Sequence, residues 1–476
     1  MLWAQRPALV VGVRVANVRV RGCEPMKLAV VGGCGYVGLV TSVGFAQLGH
    51  EVAAVDIDGA KVAALQSGHS PIYEVGLEPA LNECLAAGRL HFSTDIHEAV
   101  KGAEVVFVAV GSPSLHDGGT DLSQVQEVAR LLAEVLDQYT VIAIKSTVPA
   151  GTVQMVQQIL SQHGAEGLHA DVVVNPEFLR EGQGLKDFFF PSRIVIGTDS
   201  DHARATMRNL YWPFTAAAPP AGIEMAQGVP YVETTAVAAQ MIKYASNAFL
   251  ATRLSFINEV AGICEQVGAD VADVIQGLGY DKRIGWDYLQ PGIGFGGPCL
   301  EKDIRALIHF SGQQGYQPSF MRAVIDRNDF QVQHMVARAG GLLDSHLAGR
   351  RIAVLGLAFK PGTNDVRTSL ALRILQQLAD LGVEIVAHDP VAIEEARLLM
   401  PHVQYCEDPY DAADGADLLM LLTDWPEYRD LDFDRLGARM RQRKIMDGRN
   451  LLDGNDIVAH GFDYRGVGKP TLVPVP

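Results

Sequence analysis

The segment Gly294-Phe-Gly-Gly-Pro-Cys-Leu-Glu-Lys-Asp303 carries the most chemistry per residue in the chain. Pro298 suits the first position of a helix, where its missing N–H costs nothing. That reading puts Cys299 in the first turn, where orphan N–H groups and the helix dipole favour a thiolate. A cysteine so placed is a nucleophile. Asp303, four residues on, shares its helix face and can direct a water onto an acyl group held by the sulfur. The competing reading, a buried cysteine with no chemistry, stays open on these residues alone.

Other pairs have catalytic types at helical spacing. Lys243 and Asn247 stand i,i+4 in a mostly apolar stretch, and Glu177 and Glu181 do so in NPEFLREG (175–182). Taken singly, each pair is equally compatible with a solvated helix face. Lys145-Ser-Thr-Val-Pro149 closes a strand, and loops at the carboxyl ends of parallel strands gather ligands. Gly33-Cys-Gly-Tyr-Val-Gly38 lies between a strand and a helix, with Asp56 closing the next strand. The glycines let the backbone approach a pyrophosphate at the helix amino terminus, and the acid takes the ribose hydroxyls. Asp56 would repel a 2′-phosphate, which favours NAD over NADP; Lys61 works in the opposite direction.

The elements that must hold these residues alternate. Strands are expected at 28–31, 51–55, 104–110, 140–145, 171–174 and 193–197, with helical patterns between most of them. Such runs argue for a parallel sheet covered on both faces. Tyr231 to Ala261 lacks Gly and Pro and reads as one long helix, about 45 Å from end to end. Strand-helix alternation resumes with 351–356, 383–390, 417–423 and 444–448, so a second α/β domain is expected. The whole reads as two Rossmann-like, doubly wound parallel-sheet domains joined by a long central helix. The expected boundaries are 26–225, 226–330 and 331–464, with a disordered tail after Tyr464. Residues 1–25, which carry four arginines and no acid before Glu24, read as an extension ahead of a later start at Met26 or as a transit peptide.

Composition narrows the function. The 476 residues carry a net charge of −16, a field that repels nucleic acid and anionic lipid. Apolar residues make up 48%, yet no run reaches the ~20 residues that span a bilayer. The six cysteines form no CxxC pair, so neither a disulfide framework nor a metal cluster is indicated, and a reducing, cytosolic compartment fits.

Taken in order, GYVG (35–38), VGSP (110–113), KSTVP, NPEFLREG, KYASNAF (243–249), GFGGPCLEKD, GLAFKPGTNDVR (356–367) and DGRN (447–450) resemble the UDP-glucose/GDP-mannose 6-dehydrogenases from Met26 to about Gly454. The resemblance implies an NAD-binding first domain, a nucleotide-sugar-binding last domain and a homodimer built largely on the central helix. It implies NAD contacts from Gly33, Gly35, Tyr36, Val37, Gly38, Asp56, Lys61, Ser112, Thr147, Glu181, Lys302 and Arg367. Substrate contacts are implied for Glu177, Lys243, Asn247, Arg283, Lys360, Arg449 and the loop from Gln290 to Gly296, with Arg283 acting across the dimer. Cys299 is implied as the nucleophile of a four-electron oxidation, with Lys243 and Asn247 steadying an oxyanion and Asp303, Thr147 and Glu181 handling water and protons.

The sequence departs from the family at Gly32, an extra residue before the turn, and at Pro298, Leu300 and Glu301 around the cysteine. KYASNAFLATRLSFINE (243–259) resembles the UDP-glucose branch more than the GDP-mannose or N-acetylmannosamine branches. A two-electron hydroxyacid dehydrogenase would need no thiol, and a silent nucleotide-sugar regulator would be expected to lose Cys299 or Lys243; both residues are present.

Overall fold

The computed structural model describes residues 25–164, 168–216 and 223–474. The reading of the first residues as an extension or transit peptide lies outside the described residues. Backbone contacts divide the chain into two units, Met1–Ala245 and Ser246–Pro476.

The first unit holds β1 (Lys27–Val31), β2 (Glu51–Val55), β3 (Leu90–Ser93), β4 (Val105–Val108), β5 (Thr140–Ile144), β6 (Ala170–Val174), β7 (Ile194–Gly197) and β8 (Tyr231–Thr234). They form one sheet in the order β3-β2-β1-β4-β5-β6-β7-β8, whose first six strands follow the dinucleotide-binding order. Strands β4 and β5 are buried at every position, which is why they read as unbroken apolar runs. Alternate side chains feed two cores. Leu28, Val30 and Phe107 pack with Phe45 of helix α1 (Tyr36–Gln47), while Ala29, Val31 and Val106 pack with Val128 and Leu132 on the other face.

Two expectations need correcting here. The sheet is dominated by parallel pairs, but β7 runs antiparallel to β6 through Val174 and Gly197. The six-residue helix α2 (Gly184–Phe189) between them spans only about 9 Å. It docks Phe188 edge-on against Phe45 instead of returning along the sheet. Further, Tyr231–Thr234 are not helical: Tyr231, Val232 and Thr234 favour a strand, and the segment pairs in parallel with Ile194–Gly197. Helix α3 (Ala236–Val267) then starts with the Thr235 hydroxyl accepting the Ala238 N–H. It runs through Gly262 to Val267, ahead of Gly268 at φ +73°.

The second unit contains α4 (Leu300–Gln313) and α5 (Ser319–Leu342), then β9 (Arg351–Leu355), β10 (Glu384–His388), β11 (Gln404–Tyr405), β12 (Leu418–Leu421), β13 (Lys444–Asp447) and β14 (Asp463–Gly466). The order β11-β10-β9-β12-β13-β14 repeats the arrangement of β1 to β6, with every pair parallel. Its core joins β9 and β12 to Val332 and Met335 of α5 and to Ile257 and Ala261 of α3. The expected disordered tail is ordered as far as it is described. Leu472 bridges Tyr464, the Arg338 guanidinium donates to the Gly466 carbonyl, and the Gly468 N–H donates to Glu265. These partners are remote in sequence, so the Gly- and Pro-containing composition gave no sign of them. Among the described residues no helix is long and apolar enough to cross a membrane.

Candidate active site

The turn after β1 resolves which glycine does what. Gly32 takes φ +81°, and the Gly32 and Gly33 N–H groups both donate to the Val55 carbonyl, so the extra residue is absorbed in the turn and not in the strand. A Cβ on Gly38 would lie 2.1 Å from the Gly32 carbonyl oxygen, whereas one on Gly35 would meet nothing nearer than 3.5 Å. Gly38 therefore permits the close packing, and Gly35 leaves room for a ligand. Helix α1 has no side-chain cap and no acid in its first turn, so its amino-terminal N–H groups suit a pyrophosphate. Asp56 accepts the Cys34 N–H with one oxygen and the Asp58 N–H with the other, leaving lone pairs for two hydroxyls. Lys61 pairs with Asp58 at 3.3 Å. These residues fit NAD.

The other candidates of the first unit lie beyond the carboxyl ends of β4, β5 and β6. Ser112 donates to the Thr147 carbonyl at 2.8 Å, tying VGSP to KSTVP. Beyond β6, Glu177 folds onto its own loop and accepts the Leu179 N–H at 2.5 Å. Lys243 donates to both the Glu177 carboxylate (2.7 Å) and its carbonyl (2.8 Å), so the two form a buried pair. Burial alone would raise the Glu177 carboxyl, but the Lys243 ammonium, the Leu179 N–H and Lys145 hold it below the usual carboxylate range. Lys145 is itself buried, and desolvation pushes it down to about 8, against the attraction of Glu177. Its ammonium lies 3.4 Å from Asn175, whose amide oxygen also accepts the Tyr211 hydroxyl at 2.6 Å. Two cations lie over Phe178, Arg193 at 3.7 Å and Lys243 at 5.5 Å from its ring centre.

The second unit holds the cysteine. Asn247, one turn beyond Lys243 on α3, donates to the Asp303 carboxylate at 2.6 Å, and Lys302 donates to its other oxygen at 2.6 Å. Asp303 is only 1% exposed, and its N–H donates to the Cys299 carbonyl, while Cys299 itself is exposed. Cys299 is the cap ahead of α4, and not a residue of its first turn. Gly297, at φ +85°, has its carbonyl taken by the Thr368 hydroxyl, so it cannot open the helix and Pro298 falls outside it.

The loop from Gln290 to Gly296 is held by amides. Asn258 accepts the Gly292 N–H, Gln331 donates to the Gly292 carbonyl, and Asn328 grips Phe295 at both N–H and carbonyl. Arg449 braces the same region by donating to the carbonyls of Leu422, Gly294 and Phe359. A Cβ on Gly296 would lie 2.7 Å from the Thr368 carbonyl oxygen. Lys360 lies over the Phe359 ring, and Arg367 chelates Asp365. Arg283 forms a bidentate pair with Asp281 and is 89% exposed.

Three sequence profiles of the UDP-glucose/GDP-mannose dehydrogenase family match the chain: the NAD binding domain over residues 26–215, the central domain over 237–330 and the UDP binding domain over 353–454. The chain belongs to the UDP-glucose/GDP-mannose dehydrogenase family. It is 42% identical over 447 residues to the UDP-glucose 6-dehydrogenase TuaD of Bacillus subtilis, covering 94% of each chain. It is 42% identical over 454 residues to the UDP-glucose 6-dehydrogenase of Pseudomonas aeruginosa, covering 94% of this chain and 98% of that one. The solved UDP-glucose dehydrogenase of Pyrobaculum islandicum superposes with a TM-score of 0.85 at 36% identity, covering 95% of this chain and all of the other. NAD as cofactor and nucleotide-sugar 6-dehydrogenase chemistry follow from this membership.

Sequence reasoning missed the residues that hold the family's motifs in place. Asn328 and Gln331 are amides three apart on α5, a spacing that was there to be noticed. Asn175 opens NPEFLREG, but its partners Tyr211 and Lys145 are set by the fold.

Proposed function

We propose that the chain oxidises the C6 hydroxyl of UDP-glucose to a carboxylate, giving UDP-glucuronate with two NAD reduced per sugar. The carrying observation is that Asp303, on the helix that Cys299 caps, is held by Lys302 beside it and by Asn247 of α3. A buried aspartate fixed by an amide and an ammonium in the first turn beside a nucleophile is suited to water activation, which a two-electron dehydrogenase does not need.

In this reading the alcohol loses a proton and a hydride to become an aldehyde, NAD being the hydride acceptor. The Cys299 sulfur adds to the carbonyl carbon, forming a thiohemiacetal. Loss of the hydroxyl proton and of a second hydride, which a second NAD would accept, leaves a thioester, and water directed by Asp303 cleaves the C–S bond, releasing the acid and the thiol. Lys243 and Asn247 stabilise the oxyanion of the addition steps. Glu177 positions Lys243, and Thr147 and Glu181 pass protons beside the dinucleotide. The nucleotide-sugar is bound by Arg449, Lys360 and the loop from Gln290 to Gly296, and Lys302 and Arg367 reach the cofactor. The working unit is a homodimer in the cytoplasm, with the exposed Arg283 serving the partner's substrate.

Stoichiometry tests the reading. Two NADH should appear per UDP-glucose consumed, UDP-glucose should lead a panel of nucleotide-sugars in kcat/KM, and Cys299→Ser should nearly abolish acid formation while still binding NAD. Wild-type acid production by Cys299→Ser would sink the mechanism. A tenfold preference for another sugar would change the substrate and leave the chemistry standing.

A further inference from the structure

Glu74 belongs to none of the motifs, yet it is a buried acid, 8% exposed, in the loop ahead of helix Leu77–Ala86. Its Oε2 lies 2.5 Å from the Tyr36 hydroxyl, and the backbone N–H groups of Gly184, Leu185 and Gly182 lie close enough to favour its charged form. The Tyr36 hydroxyl also points at the Arg180 carbonyl, 2.9 Å away. Tyr36 is the first residue of α1 and so part of the dinucleotide turn, while 180–184 is the end of the loop bearing Glu177 and Glu181. The loop is stitched once more where Arg180 donates to Asp187 through its N–H, Nε and Nη2. The fit leaves no slack, since a Cβ on Gly184 would fall 2.4 Å from the Tyr36 hydroxyl.

The Tyr36 hydroxyl and the backbone N–H groups near Glu74 can all donate to it, which suits an ionised carboxylate, a side chain that only accepts, although burial pushes this carboxyl above its ordinary value. Such a group, supplied by a third segment, links two loops that have no covalent connection nearby. We propose that Glu74 is a positioning residue that holds the Glu177–Glu181 loop in register with the dinucleotide turn by accepting hydrogen bonds from Tyr36 and the 182–185 backbone together. The inference rests on the reading of that turn and loop given above. It predicts a role that local packing would not produce. Glutamine, nearly the same in shape, fails because its NH2 group faces N–H donors, and loss of the Tyr36 hydroxyl acts through the same link.

The experiment uses the full chain as wild type, Glu74→Gln, Tyr36→Phe and the double variant. Hydrogen exchange of the peptide covering 177–185 should accelerate in Glu74→Gln while the β1 and β5 peptides are unchanged. With NADH affinity of Glu74→Gln within a few fold of wild type, kcat should fall about ten- to a hundredfold, the cost of a slightly misplaced catalytic loop. The double variant should be no worse than Glu74→Gln alone. Wild-type exchange and kcat in Glu74→Gln, or losses in the double variant that multiply, would overturn the proposal. Exchange is read without substrate, so a wild type that made no acid would refute the enzymatic reading and leave the positioning test intact. If Glu74→Gln fails to fold, Tyr36→Phe alone decides by the same exchange measurement.

Discussion

Replacing Glu177 by glutamine keeps the shape of the side chain and removes the charge facing Lys243. The two side chains are 9% and 5% exposed, and the ammonium lies 2.7 Å from the carboxylate. Removing one partner of a buried pair typically costs about 3–5 kcal/mol, because the remaining charge has lost its counter-ion and cannot reach water. Two features put this case at the low end. The glutamine carbonyl still accepts from Lys243, and so does the main-chain carbonyl of residue 177 at 2.8 Å. Lys145, a second buried ammonium that feels Glu177, pushes the other way. A loss of about 3 kcal/mol is expected, which for a unit of this size lowers the melting temperature by roughly 6–12 °C.

The dependence on pH has a definite sign. The folded carboxyl sits below its unfolded value, so its contribution is complete above the ordinary carboxylate range and is lost as pH falls through the lower folded value. The gap between wild type and variant should be steady near neutrality and close in acid. Adding Lys243→Met to Glu177→Gln should recover most of the stability, since a neutral apolar replacement of the pair carries no stranded charge, while activity stays lost. Calorimetry on the three proteins across pH decides. A Glu177→Gln melting point within about 2 °C of wild type near neutrality, or a double variant less stable than the single, would refute the reasoning.

Asp56 should make NAD the preferred cofactor. Like charges about 5 Å apart at an effective dielectric near 20 cost about 3 kcal/mol, upward of a hundredfold in kcat/KM, and a preference for NADP would reverse the argument. Asp303→Asn should slow thioester hydrolysis more than the first oxidation, so mass spectrometry should find an acyl adduct on Cys299; full turnover without an adduct would remove Asp303 from the water step. Mixing Arg283→Ala with Cys299→Ser chains should restore part of the activity through hybrid dimers, and silence despite verified mixing would separate Arg283 from the partner's site.

What the sequence revealed and what it hid follow from the range of the interactions. The turn at Gly33–Gly38 with Asp56 was legible because its requirements are local: a strand, a helix, small residues and one acid. The pairing of β7 and β8 was hidden because it is decided by a partner strand, and Tyr231–Thr234 is too short to declare itself beside a long helical pattern. The start of α4 was misplaced by two residues for a similar reason. Proline at a first helical position is a sound local rule, but the Thr368 hydroxyl, 71 residues away, claims the Gly297 carbonyl and the helix opens after Cys299. The site was legible as a set of residue types and illegible as a set of contacts: the Glu177–Lys243 pair joins positions 66 apart, and Asn247–Asp303 joins positions 56 apart.

The two sheets share one strand order, and a single acid explains why they do different work. In each unit an aspartate follows the second strand, Asp56 after β2 and Asp389 after β10. Asp56 receives two backbone N–H groups and keeps acceptor capacity for a ligand. Asp389 is buried and receives five donors: the N–H groups of Leu357, Ala358, Val391 and Ala392, and the indole of Trp425. A carboxylate offers about four lone-pair sites, so Asp389 has none left for a ribose. The turn it braces differs in the same sense. After β9 the chain reads Gly356-Leu-Ala-Phe359, with the Phe359 side chain at the place of Gly35 in the first unit, so the backbone there cannot come as close to a pyrophosphate. The same topology thus gives a dinucleotide cradle in one unit, where the acid is left partly unspent. In the other unit the acid is consumed in holding its own loop, and that domain, matched by the family's UDP binding profile, is left to bind by its side chains.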